Sequence, residues 1–333
     1  MQRVLVVRIG RLGDTILATP VIDVLQQVYG DHILIDFAPA AGASAYILEM
    51  DQRVNRVFAI AHRSSPWHFH RVKRELEKHS RQAPYDLVIN LECGTECDDF
   101  IRFVHHGKFC GRPLQKAQHQ SGRHCVDTEK SIYAELLGTG ITRIAETSLD
   151  LQADQQEQPF SGGSEYVVIN PGFSGIQKPG YRSHKGWPQA HWQSLIELLT
   201  ATRGLSVFIN GTTEEQSHFA ALLQNPGVFS LFGSSLPGLA GVLSSCRGLI
   251  TVDTGTMHLA MALGTPVVAL FGPTNPELTG PYSQKVPHNV LTSAVDCQPC
   301  VGTAEQKRCT FNRCMSGIEP GQVFESCRQV MNI

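Results

Sequence analysis

The sequence predicts an α/β protein made of two doubly wound domains with parallel sheets. Short apolar strands alternate with helix-length segments along both halves of the chain, a pattern typical of parallel sheets covered by helices on both faces. A polar stretch at residues 153–163, rich in Gln, Glu, Ser and Gly, interrupts the alternation near the middle. The length of 333 residues also suits two domains, each with its own core.

The first half begins with a strand, a glycine turn and a helix. The strand covers residues 3–9, glycines follow at positions 10 and 13, and apolar residues then recur at helical spacing from Ile16 to Val28. Further strands are predicted over residues 32–37, 57–60 and 86–91. We place the first domain at residues 1–158.

The second half repeats the alternation. Helices are predicted near residues 189–202 and over 214–224, and strands over residues 166–170, 205–210, 249–252 and 266–271. We place the second domain at residues 159–333, with the option that its final helix packs back on the first. Open sheets of this kind bind ligands at the carboxyl ends of their strands, so functional motifs are expected directly after strands.

Composition and charge exclude several classes of protein. A formal net charge of −2 gives no bulk attraction for nucleic acid. The start of the chain lacks the pattern of a secretory signal, and its most apolar stretch, residues 259–271, is shorter than the roughly 20 residues that span a bilayer. We therefore expect a cytoplasmic protein whose ten cysteines are reduced.

Asp14 follows the first strand and its glycine turn. One interpretation is a helix N-cap, which stabilises a helix by about 1 kcal/mol. The other is a carboxylate at the mouth of a ligand cleft, placed to accept a proton from a substrate hydroxyl. The preceding Gly10-x-x-Gly13 is not a full dinucleotide fingerprint, which argues against a bound NAD.

A second strand-to-helix junction, residues 251–258, is rich in small polar residues. Free backbone N–H groups at a helix start favour a phosphate, and Thr254 and Thr256 add donors. The alternative is another capped helix with His258 in the core. A helix cap does not require Asp253, Gly255 or His258, so the pattern favours a ligand site.

Two further loops contain charged residues that are candidates for ligand binding. Lys185, just before a helix that Pro188 can start, is either an ordinary solvated lysine or a counter-charge for a diphosphate leaving group. Glu214 and Glu215 follow a strand, where they suit the helix dipole, and a carboxylate there can also bind ribose hydroxyls.

Four cysteines near the C-terminus have the order and spacing of a four-thiolate zinc site. They are Cys297, Cys300, Cys309 and Cys314. Free buried thiols, or pairs formed on oxidation, are the alternatives. A zinc ion here would have a structural role only.

Two clusters of cations lie in the first half. One comprises Arg63, Arg71, Lys73, Arg74, Lys78 and Arg81, and acids at helical spacing within it favour a solvated helix face. The other comprises Arg112, Lys116, His119, Arg123 and His124. The second cluster is a candidate contact for acceptor phosphates or a membrane surface.

Several segments together resemble glycosyltransferase family 9, the ADP-heptose:lipopolysaccharide heptosyltransferases. They are residues 8–20, 185–188 and 253–276, with the cysteine run. The resemblance covers nearly the whole chain and implies the GT-B architecture, in which two Rossmann-like domains face each other across a cleft. It also implies that the acceptor binds the N-terminal domain and the sugar nucleotide binds the C-terminal one.

The same resemblance implies roles for individual residues. It makes Asp14 the catalytic base and Lys185 a phosphate-binding catalytic residue. Glu215 best matches the ribose-binding acid, with Glu214 as the alternative. The remaining nucleotide-sugar residues would be Gly13, Asp253, Thr254, Gly255, Thr256 and His258. The segment from Gly172 to His184 is longer than the family pattern, so the resemblance assigns no phosphate contact within it.

The expected function is inverting transfer of a heptose from ADP-heptose to a lipid-linked lipopolysaccharide core at the inner-membrane surface. No cofactor is expected in catalysis, because no two aspartates stand in the Asp-x-Asp spacing that presents a divalent ion to a nucleotide diphosphate. The alternatives are transfer of another sugar from a nucleotide, and a non-catalytic module that binds sugar or lipid.

Overall fold

A computed structural model describes residues 2–62, 66–92, 98–111, 122–137, 146–151, 165–173, 176 and 184–333. The chain divides into two compact units, Met1–Ala153 and Asp154–Ile333, called here the N-terminal and C-terminal units. The predicted linker, residues 153–163, lies outside the described residues.

The N-terminal unit contains a parallel five-stranded sheet. Its strands are β1 Arg3–Arg8, β2 Leu34–Pro39, β3 Arg56–Val57, β4 Tyr85–Asn90 and β5 His106–Gly111, in the spatial order β3-β2-β1-β4-β5. Its helices are α1 Leu12–Leu17, α2 Pro20–Tyr29, α3 Ala43–Glu49, α4 Arg71–Gln82, α5 Asp98–Phe103 and α6 Cys125–Leu137. The central strand β1 is apolar and buried, since the side chains of residues 4–7 have no solvent exposure.

The C-terminal unit contains a parallel six-stranded sheet. Its strands are β6 Glu165–Asn170, β7 Leu205–Gly211, β8 Val228–Phe232, β9 Leu249–Val252, β10 Val267–Leu270 and β11 His288–Leu291, in the order β11-β10-β9-β6-β7-β8. Its helices are α7 Gln189–Thr200, α8 Leu236–Ser245, α9 Gly255–Ala262, α10 Pro276–Thr279, α11 Ala304–Arg308, α12 Arg313–Ser316 and α13 Pro320–Met331. The final helix α13 packs against α7, β10 and β11 of its own unit.

In both sheets the strands that follow the first one are added on one side of it, and the later strands are added on its other side. This switch point lies between β1 and β4 in the N-terminal unit and between β6 and β9 in the C-terminal unit. The crevice outside the strand ends at a switch point is where doubly wound sheets bind ligands. Asp14 follows β1 and Asp253 follows β9, so both predicted motifs lie at switch points.

Two details differ from the sequence prediction. The strands β5, β8 and β11 were not predicted, and residues 214–224 form two 3-10 turns, Thr213–Glu215 and Ala220–Gln224, instead of one helix. In the first turn the Glu215 carboxylate turns back to accept the Thr212 N–H at 2.9 Å, which caps the turn at its start. No helix of the described part of the chain is both long and apolar enough to cross a bilayer.

Candidate active site

Asp14 lies in α1 and borders an open pocket. It is the third residue of that helix, and its Oδ2 accepts the Arg11 N–H at 2.9 Å. The expected N-cap role is therefore wrong: the helix begins at Leu12, because the glycine turn ends earlier than the sequence pattern suggested. The carboxylate still stabilises the helix start, as acids in a first turn do.

The Asp14 side chain is 46% exposed. With the ends of β1 and β2 and the start of α3, it lines a pocket of about 520 Å³. A Cβ on residue 10 would collide with Asp14, so this position requires glycine. The position of Asp14 fits the predicted carboxylate at a cleft mouth, and its role as a base stays a prediction.

One arginine connects Asp14 to two buried acids. The Arg8 Nη2 atom lies 3.5 Å from Asp14 Oδ1 and 3.4 Å from Glu129 Oε1, and its Nη1 atom lies 3.7 Å from Glu92 Oε1. The Glu129 and Glu92 side chains are 3% and 0% exposed. Sequence reasoning missed Arg8 as the partner of Asp14 and the two buried acids as partners of Arg8, although an acid just after the apolar strand β4 was a usable signal for Glu92.

Lys185 and Asp253 form an ion pair in the C-terminal unit. The Lys185 Nζ atom lies 2.5 Å from Asp253 Oδ2 and 3.4 Å from the Asp253 carbonyl oxygen. The lysine side chain is 36% exposed and the aspartate 11%. Two residues that sequence reasoning assigned to the same ligand are therefore in contact, and the ammonium group has exposed surface for an anion.

The start of α9 has free donors for a phosphate. Thr254 precedes the helix, its hydroxyl lies 3.2 Å from that of Thr251, and Asn170 Nδ2 approaches it at 3.5 Å. The first N–H groups of a helix have no acceptor within the helix, so Gly255 and Thr256, both half-buried, can present theirs to an anion.

His258 lies deeper in α9 and is 6% exposed. A side chain so covered offers little surface to a ligand, which favours the core interpretation of this histidine. Its assignment to the nucleotide-sugar site stays a prediction.

Glu215 packs against the loop after β6, whereas Glu214 is exposed. A Cβ on Gly172 would collide with the Glu215 carboxylate, and the Thr212 N–H donates to its Oε2 at 2.9 Å. Burial raises the pKa of Glu215, and the N–H groups of Thr212 and Phe173 partly offset that rise. Of the two acids, Glu215 is the one next to the switch point.

The four C-terminal cysteines lie near one another. Burial raises the pKa of Cys314 to about 11, and the neighbouring thiols of Cys300, Cys297 and Cys309 add to the rise. Among the residues that the structure describes, no three His, Cys, Asp or Glu side chains are placed to hold a metal. A zinc ion would thus require these thiols to draw together, and the site stays a prediction.

We expect zinc binding to release protons, because a thiol with a raised pKa must ionise to become a ligand. The measurement is zinc content by atomic emission, and proton release by titration, for the wild type and Cys300→Ser. The control is Cys246→Ser, which changes a thiol outside the run. Equal zinc content in wild type and Cys300→Ser, or none in either, would contradict the site.

The first cationic cluster lies largely on α4. Arg71, Arg74 and Lys78 are exposed at helical spacing on one face, whereas Lys73 is buried with its ammonium 5.9 Å from the Trp67 ring. Arg63, Arg112, Lys116 and His119 lie outside the described residues.

Solved structures place this fold in the GT-B class of glycosyltransferases, as predicted from the sequence. An Escherichia coli heptosyltransferase, WaaC, solved with ADP, is 24% identical with a TM-score of 0.72, covering 98% of this chain and 99% of that one. A family 9 glycosyltransferase from Veillonella parvula is 20% identical with a TM-score of 0.76, covering 99% and 97%.

Sequence comparison identifies the family. The model of glycosyltransferase family 9 (heptosyltransferase) matches residues 103–310. Lipopolysaccharide heptosyltransferase 1 of Pseudomonas aeruginosa is 30% identical over 93% of this chain and 88% of its own length. The chain belongs to glycosyltransferase family 9, and the resemblance predicted from its motifs is confirmed.

Proposed function

We propose that this chain transfers a heptose from ADP-heptose to a hydroxyl of the lipopolysaccharide inner core, with inversion at the anomeric carbon. The family and the names of the relatives support the donor and acceptor classes. The observation that carries the mechanism is Asp14, a half-exposed carboxylate at a pocket beside a switch point. A module that only bound sugar would not need this carboxylate to accept a proton.

In the proposed reaction Asp14 accepts the proton of the acceptor hydroxyl. The hydroxyl oxygen forms a bond to the anomeric carbon as the bond from that carbon to the diphosphate oxygen breaks. The electron pair of the broken bond leaves on ADP, where Lys185 and the N–H groups at the start of α9 stabilise the added negative charge. One displacement with no covalent intermediate inverts the configuration.

The two units have separate tasks in this proposal. The N-terminal unit would bind the acceptor near Asp14, and the C-terminal unit would bind ADP-heptose through Lys185, Glu215 and the start of α9. Lys185 supplies the positive charge that a divalent ion supplies in other nucleotide-sugar enzymes. We therefore expect transfer in the presence of a chelator.

The direct test is incubation of the protein with ADP-heptose and heptose-free lipopolysaccharide core, followed by mass spectrometry. The expected result is a gain of one heptose, with the opposite anomeric configuration by NMR. Transfer only from another nucleotide sugar would support the alternative donor. No gain with any donor would overturn the enzyme assignment.

The acceptor is lipid-linked, so we also propose that the protein works at the cytoplasmic face of the inner membrane. The sequence favoured a solvated face for the cluster on α4 and named the second cluster as the membrane contact, but the α4 face supports this proposal. Arg71, Arg74 and Lys78 are exposed together there, and Phe69, just before the helix, is 87% exposed. An exposed aromatic beside cations is the combination that attracts a protein to anionic lipid.

We expect the protein to sediment with phosphatidylglycerol vesicles and to be released by salt, since each cation near such a surface contributes about 1 kcal/mol. Arg71→Glu with Arg74→Glu should abolish sedimentation. Arg203→Glu with Lys285→Glu makes the same charge change at exposed sites of the C-terminal unit and should not. If both pairs behave alike, α4 is not the membrane contact.

A further inference from the structure

Three carboxylates lie close to the same guanidinium next to the pocket. Arg8, at the end of β1, lies within 3.7 Å of an oxygen of Asp14, Glu92 and Glu129. If all three acids were ionised, the group would carry two excess negative charges, with Glu92 and Glu129 almost fully buried. Buried charge without compensation is costly, so the charge state of this group is tightly constrained.

The three acids are not equivalent. Glu92 accepts the Ile9 N–H through the same oxygen that faces Arg8, and Asp14 accepts the Arg11 N–H. Both carboxylates thus have a backbone donor. Glu129 Oε1 is buried and accepts no hydrogen bond from the part of the chain that the structure describes, so Arg8 at 3.4 Å is the cation placed to stabilise it as an anion.

Asp14 and Glu129 compete for the same atom of Arg8, Nη2. Arg8 Nη2 lies 3.5 Å from Asp14 Oδ1 and 3.4 Å from Glu129 Oε1, while Nη1 donates to the Leu91 carbonyl at 3.1 Å. The Leu91 contact fixes one side of the planar guanidinium and leaves Nη2 between the two acids. A guanidinium can hold this geometry, whereas a lysine ammonium cannot.

We infer that Arg8 and Glu129 are positioning residues for Asp14: Arg8 orients the Asp14 carboxylate, and the charge on Glu129 decides how strongly Arg8 holds it. The inference rests on the proposed role of Asp14 as the base. When Glu129 is neutral, the charge of Nη2 acts mainly on Asp14 and disfavours proton uptake there. When Glu129 is ionised, it competes for Arg8, and Asp14 becomes the better proton acceptor.

Glu129 is suited to change charge near neutral pH. Burial raises the pKa of Glu129 to about 7; Arg8 lowers it, whereas Asp14 and Glu92 raise it. Besides the segments that carry Arg8, Asp14 and Glu92, the elements packed against α6 are α2 and β5. The one charged side chain of α2, Asp23, pairs with Arg53, and on β5 the Cys110 thiol donates to the Ile132 carbonyl.

Other titratable side chains lie on β5 and on α6 itself. His106 of β5 is half-buried, with Nδ1 2.6 Å from the Val104 carbonyl, and Lys108 is exposed. Cys125 of α6 itself has a raised pKa, caused by burial first and then by Glu129. Because Glu129 ionises as the pH rises, transfer should become faster as the pH rises through about 7.

The first experiment compares the pH dependence of kcat for the wild type and Glu129→Gln, with saturating ADP-heptose and heptose-free lipopolysaccharide core. We expect wild-type kcat to rise by about threefold to tenfold between pH 6 and 8, as one neighbouring charge would cause. In Glu129→Gln, which imitates the neutral acid, kcat should stay at the low-pH value while the KM for ADP-heptose is unchanged. An unaltered pH profile, or an equal loss at every pH, would overturn the role of Glu129.

The matched control is Asp51→Asn. Asp51 is also a fully buried carboxylate of the N-terminal unit, and it pairs with Arg53 at 2.6 Å. This substitution should lower the melting temperature and leave the shape of the pH profile intact. If it also removed the rise near pH 7, the rise would report general destabilisation and the inference would fail.

The second experiment separates this inference from the proposed function. Arg8→Lys should lower kcat about tenfold in the wild type, and it should have no further effect on the residual transfer of Asp14→Asn, because it acts through that carboxylate. If Asp14→Asn is impaired but Arg8→Lys and Glu129→Gln behave like wild type, only the inference fails. If Asp14→Asn keeps full turnover, the proposed base itself is wrong.

Discussion

Replacing Asp14 by asparagine should slow heptosyl transfer by about 10²-fold to 10⁴-fold, the usual contribution of a general base. An amide cannot accept the proton of the acceptor hydroxyl. Its oxygen can still accept the Arg11 N–H that the carboxylate accepts at 2.9 Å, so α1 should keep its cap. The measurement is kcat from release of ADP, together with ADP affinity by calorimetry.

ADP affinity should not change in Asp14→Asn, because the diphosphate contacts proposed here belong to the C-terminal unit. The matched control is Asp86→Asn. Asp86 is another exposed carboxylate of the N-terminal unit that accepts a backbone N–H, that of Arg3 at 2.8 Å. The Asp86→Asn variant should keep full turnover. Full turnover in Asp14→Asn on the true acceptor would show that another group removes the proton.

The central strands of both sheets could be predicted from the sequence, and three outer strands could not. Strands β1 and β9 are buried along their whole length or nearly so, and burial on both faces requires the continuous apolar runs that sequence analysis detects. Strands β5, β8 and β11 are edge strands, and most of their residues are exposed or half-buried. Partial exposure permits Gly, Lys, Ser and His, which hide the pattern.

The site was predictable where its residues adjoin one another in the sequence. Asp14 and the 253–256 segment follow predicted strands, so the strand-end rule found them. The contact of Lys185 with Asp253 and the cluster around Arg8 each join residues from distant segments. Such pairs depend on how the strands are ordered in the sheet, and spacing along the chain carries no information about that order.

Replacing Lys185 by alanine should weaken ADP binding about tenfold to a hundredfold, the value of a hydrogen bond to a charged group. The variant loses the diphosphate contact, and it also leaves the Asp253 carboxylate without the ammonium that lies 2.5 Å away. That carboxylate would then repel the diphosphate. ADP affinity is measured by calorimetry, and we expect turnover to fall as well.

The double variant Lys185→Ala, Asp253→Asn tests whether this repulsion is real. Removing the unpaired carboxylate should restore part of the affinity, so the double variant should bind ADP more tightly than Lys185→Ala and more weakly than wild type. Lys285→Ala, an exposed lysine of the same unit, serves as the control and should bind ADP normally. Unchanged affinity in Lys185→Ala would refute its phosphate role. If instead the double variant binds no better than Lys185→Ala, then Asp253 does not repel the diphosphate, and the lysine acts on the ligand alone.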